Sequence, residues 1–231
     1  MKITWLGHSG FRFDIGDQVL LVDPWLAGNP MFPADREAEA IAGTTAIFVT
    51  HGHGDHFGDV ERLAVACGAP VYAAHEIGDF LGSKGEVKSV GFLHGGTIRV
   101  GNIEVSMVPA IHSSSFDGDG ANLGVAGSPC GFMIAGEGHM IYVSGDTSIM
   151  ADMGWMAEYY EPDIGILCAG GHYTMDMEMA AWAARRFFNF KTVIPCHYKT
   201  FGLLAQSADV LVAKLPGVDV RLPGVMEVMV W

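Results

Sequence analysis

Several metal-binding side chains are crowded into the short segment "THGHGDH" at residues 50–56, although the whole chain has only 10 histidines. The segment supplies His51, His53, Asp55 and His56. Neutral imidazoles and carboxylates are the groups with which proteins bind Zn²⁺ and similar divalent ions. We interpret the glycines at positions 52 and 54 as allowing a sharp turn, so that the four side chains face different ions. The segment therefore predicts a metal site.

Three further candidate ligands each follow an apolar, strand-like run. They are His112 after "IEVSMVPAI", Asp146 after "MIYVSG" and His197 after "VIPC". Because several strands can end at the same edge of a sheet, these side chains can meet the histidine-rich segment there. Seven ligands exceed the four of one tetrahedral zinc ion. They suit two ions, with one carboxylate bridging through its two oxygens.

The elements that must position these groups are mostly short strands. The clearest helical segments are "DHFGDVERLAVACG" and "TMDMEMAAWAARRFFNF", the second with Thr174 as its N-cap. No Pro/Ser-rich linker divides the chain, and each half opens with strands and continues with helix–strand units. We therefore expect one domain over residues 1–231, made of two similar halves, with two sheets packed face to face and helices outside.

Composition limits the classes of function. A formal net charge of −13 and the lack of a Lys/Arg stripe argue against nucleic-acid binding. No apolar run approaches the ~20 residues of a membrane-spanning helix, and a strand-like run, not a signal segment, opens the sequence. The 4 cysteines form no CxxC pair. We expect a cytoplasmic protein with a small-molecule substrate and no nucleic-acid or membrane partner; the oligomeric state stays open.

The order of an early Asp, HxHxDH, His, Asp and His resembles the metallo-β-lactamase-fold hydrolases. Seven segments are similar, more narrowly, to the UPF0173 metal-dependent hydrolases, relatives of the ascorbate-phosphate lactonase group. These segments are "KITWLGHSGF", "DPWLAGNP", "THGHGDHFGD", "HSSS", "SGDT", "GGHYTMD" and "VIPCHYKTF". The resemblance extends over essentially the whole chain. It implies an α/β (α+β) fold, a four-layer αββα sandwich with a dinuclear site at the edge between the sheets.

The resemblance also implies a place for each ligand. The first ion would be bound by His51, His53 and His112. The second would be bound by Asp55, His56 and His197, with Asp146 as the bridge. Asp23, which closes "VLLVD", would steady the HxHxDH loop without binding metal. The expected cofactor is a pair of divalent ions, zinc first, with Mn²⁺, Ni²⁺ or Fe²⁺ as alternatives.

The chemistry that this site predicts is hydrolysis of an ester, lactone, phosphoester or amide. A hydroxide shared by two metal ions is a nucleophile at neutral pH, because bound water loses a proton near about pH 7. Asp55 is the candidate that orients the water and transfers its proton. No GxSxG motif occurs, so we do not expect a serine nucleophile.

Three alternatives use the same ligand set. An iron-dependent oxidoreductase, dioxygenase-like or flavin-coupled, is disfavoured by the intact HxHxDH motif and the lack of an appended flavin domain. A metallo-nuclease is disfavoured by the net charge of −13. A non-catalytic metal-binding module is disfavoured because every ligand is present.

Two more histidines follow strand-like runs and are expected on the rim of the metal site. We predict that His8 and His172 are catalytic, with His172 donating a proton to the leaving group; the alternative for each is a structural, hydrogen-bonded histidine. The long segments 23–40 and 113–129 are predicted to be binding loops. Phe116 would be the apolar contact of a lid formed by the second loop.

Overall fold

The computed structural model describes residues 1–116 and 124–231. Most of its strands form two seven-stranded mixed sheets. The first sheet has the order β16-β1-β2-β3-β4-β5-β6. Its strands are β1 (Lys2–Trp5), β2 (Phe11–Ile15), β3 (Gln18–Val22), β4 (Ala46–Phe48), β5 (Val71–Ala74), β6 (Ser89–Phe92) and β16 (Val228–Val230).

The second sheet has the order β15-β14-β13-β12-β11-β8-β7. Its strands are β7 (Thr97–Val100), β8 (Ile103–Pro109), β11 (Cys130–Gly136), β12 (His139–Val143), β13 (Ile164–Cys168), β14 (Thr192–Cys196) and β15 (Asp219–Val220). A separate two-stranded ribbon pairs β9 (Ser115–Phe116) with β10 (Gly124–Val125).

The helices form the outer layers. They are α1 (Glu37–Ile41), preceded by a 3₁₀ turn (Ala34–Arg36), α2 (Gly54–Phe57), α3 (Val60–Cys67), α4 (His75–Lys84), α5 (Met153–Tyr160), α6 (Met177–Phe187) and α7 (Asp209–Lys214). Apolar residues of α1, α3 and α4 pack on the outer face of the first sheet. Those of α5, α6 and α7 join the core of the second sheet. The resulting layers agree with the predicted αββα sandwich.

Side-chain alternation explains why the sheets stack face to face. In β2, Phe11, Phe13 and Ile15 are buried between the sheets, whereas Arg12 and Asp14 alternate with them and pair with each other at 2.7 Å. In β4, by contrast, every residue is buried, because this parallel strand has the second sheet on one face and helices on the other.

Aromatic rings join the two sheets at the centre of the core. Phe132 of β11 lies edge-on to Phe48 of β4, with ring centroids 5.5 Å apart, and stacks on Phe92 of β6 at 6.2 Å. Both Phe48 and Phe132 are fully buried. Contacts of this kind stabilise the sandwich through apolar burial and ring geometry.

The helix boundaries differ from the sequence prediction at two points. The N-cap of α6 is Asp176 rather than Thr174, because the Asp176 carboxylate accepts the Met179 N–H at 2.7 Å. The run after the histidine-rich segment is two helices, α2 and α3, with a break at Gly58 and Asp59. Asp59 instead accepts the Leu26 N–H at 2.7 Å and so holds the 23–40 loop. Within the described ranges, no helix combines the length and apolar character needed to cross a bilayer.

We predict that Phe132→Ala lowers the free energy of unfolding by about 3–5 kcal/mol, because it leaves a cavity between the sheets. Urea denaturation followed by circular dichroism measures the change. The control is Leu93→Ala, whose side chain is 57% exposed and whose loss should cost less than about 0.5 kcal/mol. Similar unfolding midpoints for the two variants would contradict a core centred on Phe132.

Candidate metal centre

The candidate ligands follow strands whose carboxyl ends lie at one edge of the sandwich. Strands β3, β4 and β1 of the first sheet run in one direction, as do β8, β12 and β14 of the second. The residues that follow these ends are His8, Asp23, the segment from His51 to His56, His112, Asp146 and His197. Rigid strands therefore bring together groups that are far apart in sequence.

The first group of candidate ligands consists of His51, His53 and His112, whose ligand atoms all lie within 4.8 Å of one another. Nε2 of His51 is 3.1 Å from Nδ1 of His53. The ring of His112 lies 5.1 Å from each of the other two rings. This set is the one that the resemblance assigned to the first ion.

The second group contains Asp55, His56 and His197, again with ligand atoms within 4.8 Å, and includes His8. Oδ2 of Asp55 is 3.8 Å from Nε2 of His197. His56 and His197 are buried, while the Asp55 side chain keeps 29% of its surface exposed. The three residues other than His8 form the set that the resemblance assigned to the second ion.

Asp146 lies between the two groups. Its Oδ2 is 3.0 Å from Nε2 of His197, 3.5 Å from Nε2 of His56 and 3.6 Å from Nε2 of His112. A third set of possible ligands joins it to His51 and His56. One carboxylate thus faces imidazoles from both groups, which is the position that a bridging ligand needs.

Asp23 lies where the resemblance implied a supporting carboxylate. Its Oδ2 accepts hydrogen bonds from the Thr50 hydroxyl at 2.6 Å and from Nδ1 of His56 at 2.8 Å, and its Oδ1 accepts the Thr50 N–H at 2.8 Å. Because the Thr50 hydroxyl gives its proton to Asp23, its oxygen accepts from Nδ1 of His51, 3.0 Å away. Both imidazoles are then held with Nε2 free to bind metal.

His8 was predicted on the rim, but it lies beneath it, fully buried. Burial lowers its pKa to about 4, although the hydrogen bond to Asp55 opposes this shift. The neutral ring has one N–H, which the carboxylate of Asp55 accepts from Nε2 at 2.9 Å. The Thr200 hydroxyl, 2.8 Å away, then donates to Nδ1. His8 therefore fixes the orientation of Asp55 from behind.

The chain bends at Gly52 and His53 before α2 begins at Gly54, in agreement with the predicted sharp turn. Neither Gly52 nor Gly54 is among the residues with a left-handed φ. A Cβ on Gly52 would come within 2.4 Å of the Ala126 Cβ and 2.9 Å of the Ser115 carbonyl oxygen. Gly52 is needed because the 113–129 loop packs directly on it, and Gly54 begins α2.

Backbone strain occurs instead at three residues of the site. His8, Asp23 and His197 have φ values of 52°, 47° and 56°, a left-handed conformation that non-glycine residues seldom adopt. Each follows the end of a strand directly or within a few residues. Strain of this kind persists where the surrounding structure fixes the position of a functional side chain.

The arrangement fits divalent metal ions. Among the described residues, Nε2 of His56 and Oδ1 of Asp146 are buried polar atoms without a hydrogen-bond partner. Two ligands of a tetrahedral zinc ion, each about 2.0–2.1 Å from it, are about 3.3 Å apart. The separations of 3.1 Å between His51 and His53 and 3.0 Å between Asp146 and His197 are close to that value.

The charge balance also favours cations. Burial lowers the pKa of His56, but the carboxylates of Asp146, Asp23 and Asp55 outweigh it and raise that pKa well above its usual range. Burial raises the pKa of Asp146, but His56 and His197 hold it well below its usual range. Without metal, a proton on His56 offsets part of the negative charge of these carboxylates. A bound metal ion would take over that role.

The cluster opens into a pocket of about 800 Å³. Candidate ligands from both groups form part of its lining, together with Gly54 and Ser113. The rest of the lining is large and apolar, namely Trp25, Tyr173, Phe201 and Leu203. Trp25 was expected to line a binding site, because it lies in the predicted binding loop 23–40. Tyr173, Phe201 and Leu203 were not predicted as pocket residues, because single apolar residues in or near "GGHYTMD" and "CHYKTF" give no periodic signal.

Two other predicted residues lie away from the pocket. His172 is exposed, and its ring packs on Tyr173 at 4.5 Å, so that Tyr173 rather than His172 lines the pocket. The catalytic role of His172 stays a prediction.

Phe116 stacks on Phe80 at 4.3 Å and contacts Phe57 at 5.2 Å. It therefore anchors this part of the 113–129 loop to α2 and α4 and does not line the pocket; its role as the contact of a lid stays a prediction, and residues 117–123 of the loop lie outside the described ranges.

We predict that Asp23→Asn weakens zinc affinity by about 10–100-fold, because the amide has one acceptor oxygen in place of two and leaves Thr50 or His56 without its partner. Competition with a chromophoric chelator measures the affinity. Asp163→Asn is the matched control, since Asp163 accepts Nδ1 of His139 at 2.9 Å and the Met140 N–H at 3.0 Å outside the cluster. Equal affinities in the two variants would show that Asp23 does not support the ligands.

The geometry agrees with comparisons to known proteins. The family model described as a beta-lactamase superfamily domain matches residues 18–198. The chain is 60% identical over 227 residues to a UPF0173 metal-dependent hydrolase of Paracoccus denitrificans and 59% identical over 226 residues to one of Cereibacter sphaeroides, each time with 98% of both chains covered. The structure of Igni18, a metallo hydrolase from Ignicoccus hospitalis, is similar with a TM-score of 0.84 at 30% identity, covering 99% of this chain and 97% of that one. The chain therefore belongs to the β-lactamase superfamily and, within it, to the family of UPF0173 metal-dependent hydrolases.

Proposed function

We propose that this protein hydrolyses an ester, lactone, phosphoester or amide bond of a small molecule with the help of two divalent metal ions. The observation that carries the proposal is the joining of two histidine-rich ligand groups by Asp146 at the floor of an open pocket. A metal cluster with a structural role is normally closed by protein ligands, whereas a catalytic one keeps access to substrate.

The residues that would hold the ions divide between two sites. His51, His53 and His112 suit the first, Asp55, His56 and His197 suit the second, and Asp146 suits the bridge. Ions bound there supply Lewis acidity and lower the pKa of water to near neutrality. Imidazole and carboxylate ligands favour zinc and also accept Mn²⁺, Ni²⁺ or Fe²⁺.

Asp55 is the residue best placed to handle a proton. Burial raises the pKa of its carboxyl, but the charge of His56 and the hydrogen bond from His8 outweigh it and lower that pKa. The carboxylate therefore stays ionised, borders the pocket, and can accept a proton from the attacking water. The hydrogen bond from His8 keeps it from rotating away.

The substrate that we propose is a small molecule rather than a nucleic acid. The net charge of −13 opposes the approach of a polyanion, and none of the described residues that line the pocket is Lys or Arg. An iron oxidoreductase is the alternative that metal analysis would reveal. Its mark would be iron in the purified protein together with a visible absorption band.

We predict two divalent ions per chain, with zinc as the main metal, by elemental analysis of protein purified without chelators. Asp146→Asn should lose one or both ions, because an amide cannot neutralise two cations; losses of about 10–100-fold in affinity are the lower bound. Asp79→Asn is the control, since its carboxylate is 71% exposed and pairs with His75 at 3.2 Å. One iron per chain, or an Asp146→Asn variant with both ions and full activity, would contradict the dinuclear site.

We predict that His8→Ala retains both ions but lowers kcat by about 10–100-fold, since Asp55 loses the donor that orients it. His8→Gln should recover part of kcat, because its amide N–H can replace the Nε2 donor. Metal content, melting temperature and kcat are measured on the same preparations. If both variants lose activity only in proportion to folded protein, His8 has a structural role alone.

A further inference from the structure

Large apolar side chains surround the mouth of the pocket and remain open to solvent. Leu203 is 63% exposed, Tyr173 is 53% exposed and Phe201 is 37% exposed, while Trp25 is half-buried. These four residues, here called the apolar wall, all line the same pocket as the candidate ligands. A contiguous apolar surface beside a polar floor is typical of a ligand-binding site.

Two rings of the apolar wall lie beside His8, the residue that holds Asp55. The rings of Trp25 and Phe201 lie 5.4 Å and 5.7 Å from the ring of His8, and 6.0 Å from each other. His8 in turn holds Asp55. A substrate whose scissile bond reaches Asp55 and the candidate ligands therefore places the atoms next to that bond against Trp25 and Phe201.

Hydrogen bonds hold the backbone that carries Trp25 and Phe201. Nδ2 of Asn29 donates to the Trp25 carbonyl oxygen at 3.1 Å. The Phe201 carbonyl oxygen accepts the Leu204 N–H at 3.0 Å and Nε2 of Gln206 at 2.8 Å. A wall that is already in place binds an apolar group without a large cost for ordering.

The wall offers no cationic side chain to an anionic group. Of the described residues that line the pocket, the acidic ones are Asp55 and Asp146, both of the ligand cluster, and none is Lys or Arg. Lys199, two residues after His197, directs its ammonium group to the Tyr198 ring, 5.1 Å from the ring centroid. An anionic group on the substrate would lose part of its hydration against the wall and would find no Lys or Arg among the described lining residues to offset that loss.

We propose that the natural substrate is a carboxylic ester, lactone or amide with an uncharged apolar chain of several carbons next to the scissile bond. The apolar wall binds that chain, and phosphorylated or carboxylated tails are disfavoured. The inference rests on the proposed hydrolytic function and narrows the substrate class of the same site.

The test compares ethyl acetate, ethyl hexanoate, hexyl acetate and monoethyl adipate as substrates of the zinc-loaded protein, with acid release followed in a pH-stat. Ethyl hexanoate and hexyl acetate carry the chain on opposite sides of the ester, and monoethyl adipate replaces the terminal methyl of hexanoate by a carboxylate. We expect kcat/KM for one of the two long neutral esters to exceed that for ethyl acetate by about 10-fold or more. If that ester is ethyl hexanoate, its kcat/KM should exceed that for monoethyl adipate by a similar factor. If the adipate carboxylate binds metal non-productively, kcat and KM for monoethyl adipate fall by the same factor. Its kcat/KM is therefore unchanged by such binding.

Substitutions test whether the preference for long neutral esters depends on the apolar wall. Phe201→Ala should lower kcat/KM about 10-fold for the preferred long ester and less than about twofold for ethyl acetate. Tyr159→Ala is the control, because this tyrosine on α5 is 75% exposed and does not line the pocket. A second readout does not depend on turnover: saturation-transfer NMR should detect binding of 3-octanone, a ketone with no hydrolysable bond, that Phe201→Ala weakens and Tyr159→Ala does not.

The outcomes separate the two proposals. If no ester is hydrolysed but 3-octanone binding depends on Phe201, the proposed ester chemistry is wrong and the role of the apolar wall is supported. Equal kcat/KM for all four esters, faster turnover of monoethyl adipate, or 3-octanone binding that Phe201→Ala leaves unchanged would overturn the inference about the substrate.

Discussion

The carboxylate of Asp23, buried at the end of β3, joins the polypeptide segments that build the site. It accepts hydrogen bonds from the backbone and hydroxyl of Thr50 and from the ring of His56. Through Thr50 it also sets the tautomer of His51. A buried carboxylate is costly unless such donors satisfy it. The same bonds that stabilise Asp23 therefore fix the orientation of the histidine-rich segment and its candidate metal ligands.

The sandwich makes this arrangement possible because it brings strand ends of both sheets to a single edge. The first sheet contributes the histidine-rich segment, and the second contributes His112, Asp146 and His197. The aromatic core between Phe48 and Phe132 keeps the two sheets in a fixed relation. Because the ligands stand at the ends of packed strands, their separations follow from the packing of the core rather than from flexible loops.

The floor and the wall of the pocket have opposite physical characters. The floor concentrates imidazoles and carboxylates whose pKa values are shifted by one another and by burial, as in His56 and Asp146. The wall of Trp25, Tyr173, Phe201 and Leu203 has no ionised group. Under the proposed function, electrostatics would bind the reacting part of a substrate and apolar burial would bind the rest of it.

The sequence by itself predicted the αββα layers and the set of seven candidate ligands, because strand-like runs and residue types are local features. Tertiary structure decided the rest. Gly52 is required by a contact with Ala126 from a distant loop, not by its own φ. His8 is buried behind Asp55 instead of on the rim, and Phe116 packs on Phe80 and does not line the pocket. Phe201 and Leu203 became pocket residues only through the folding of their loop. Contacts between segments far apart in sequence determine these roles, and no periodicity along the chain records them.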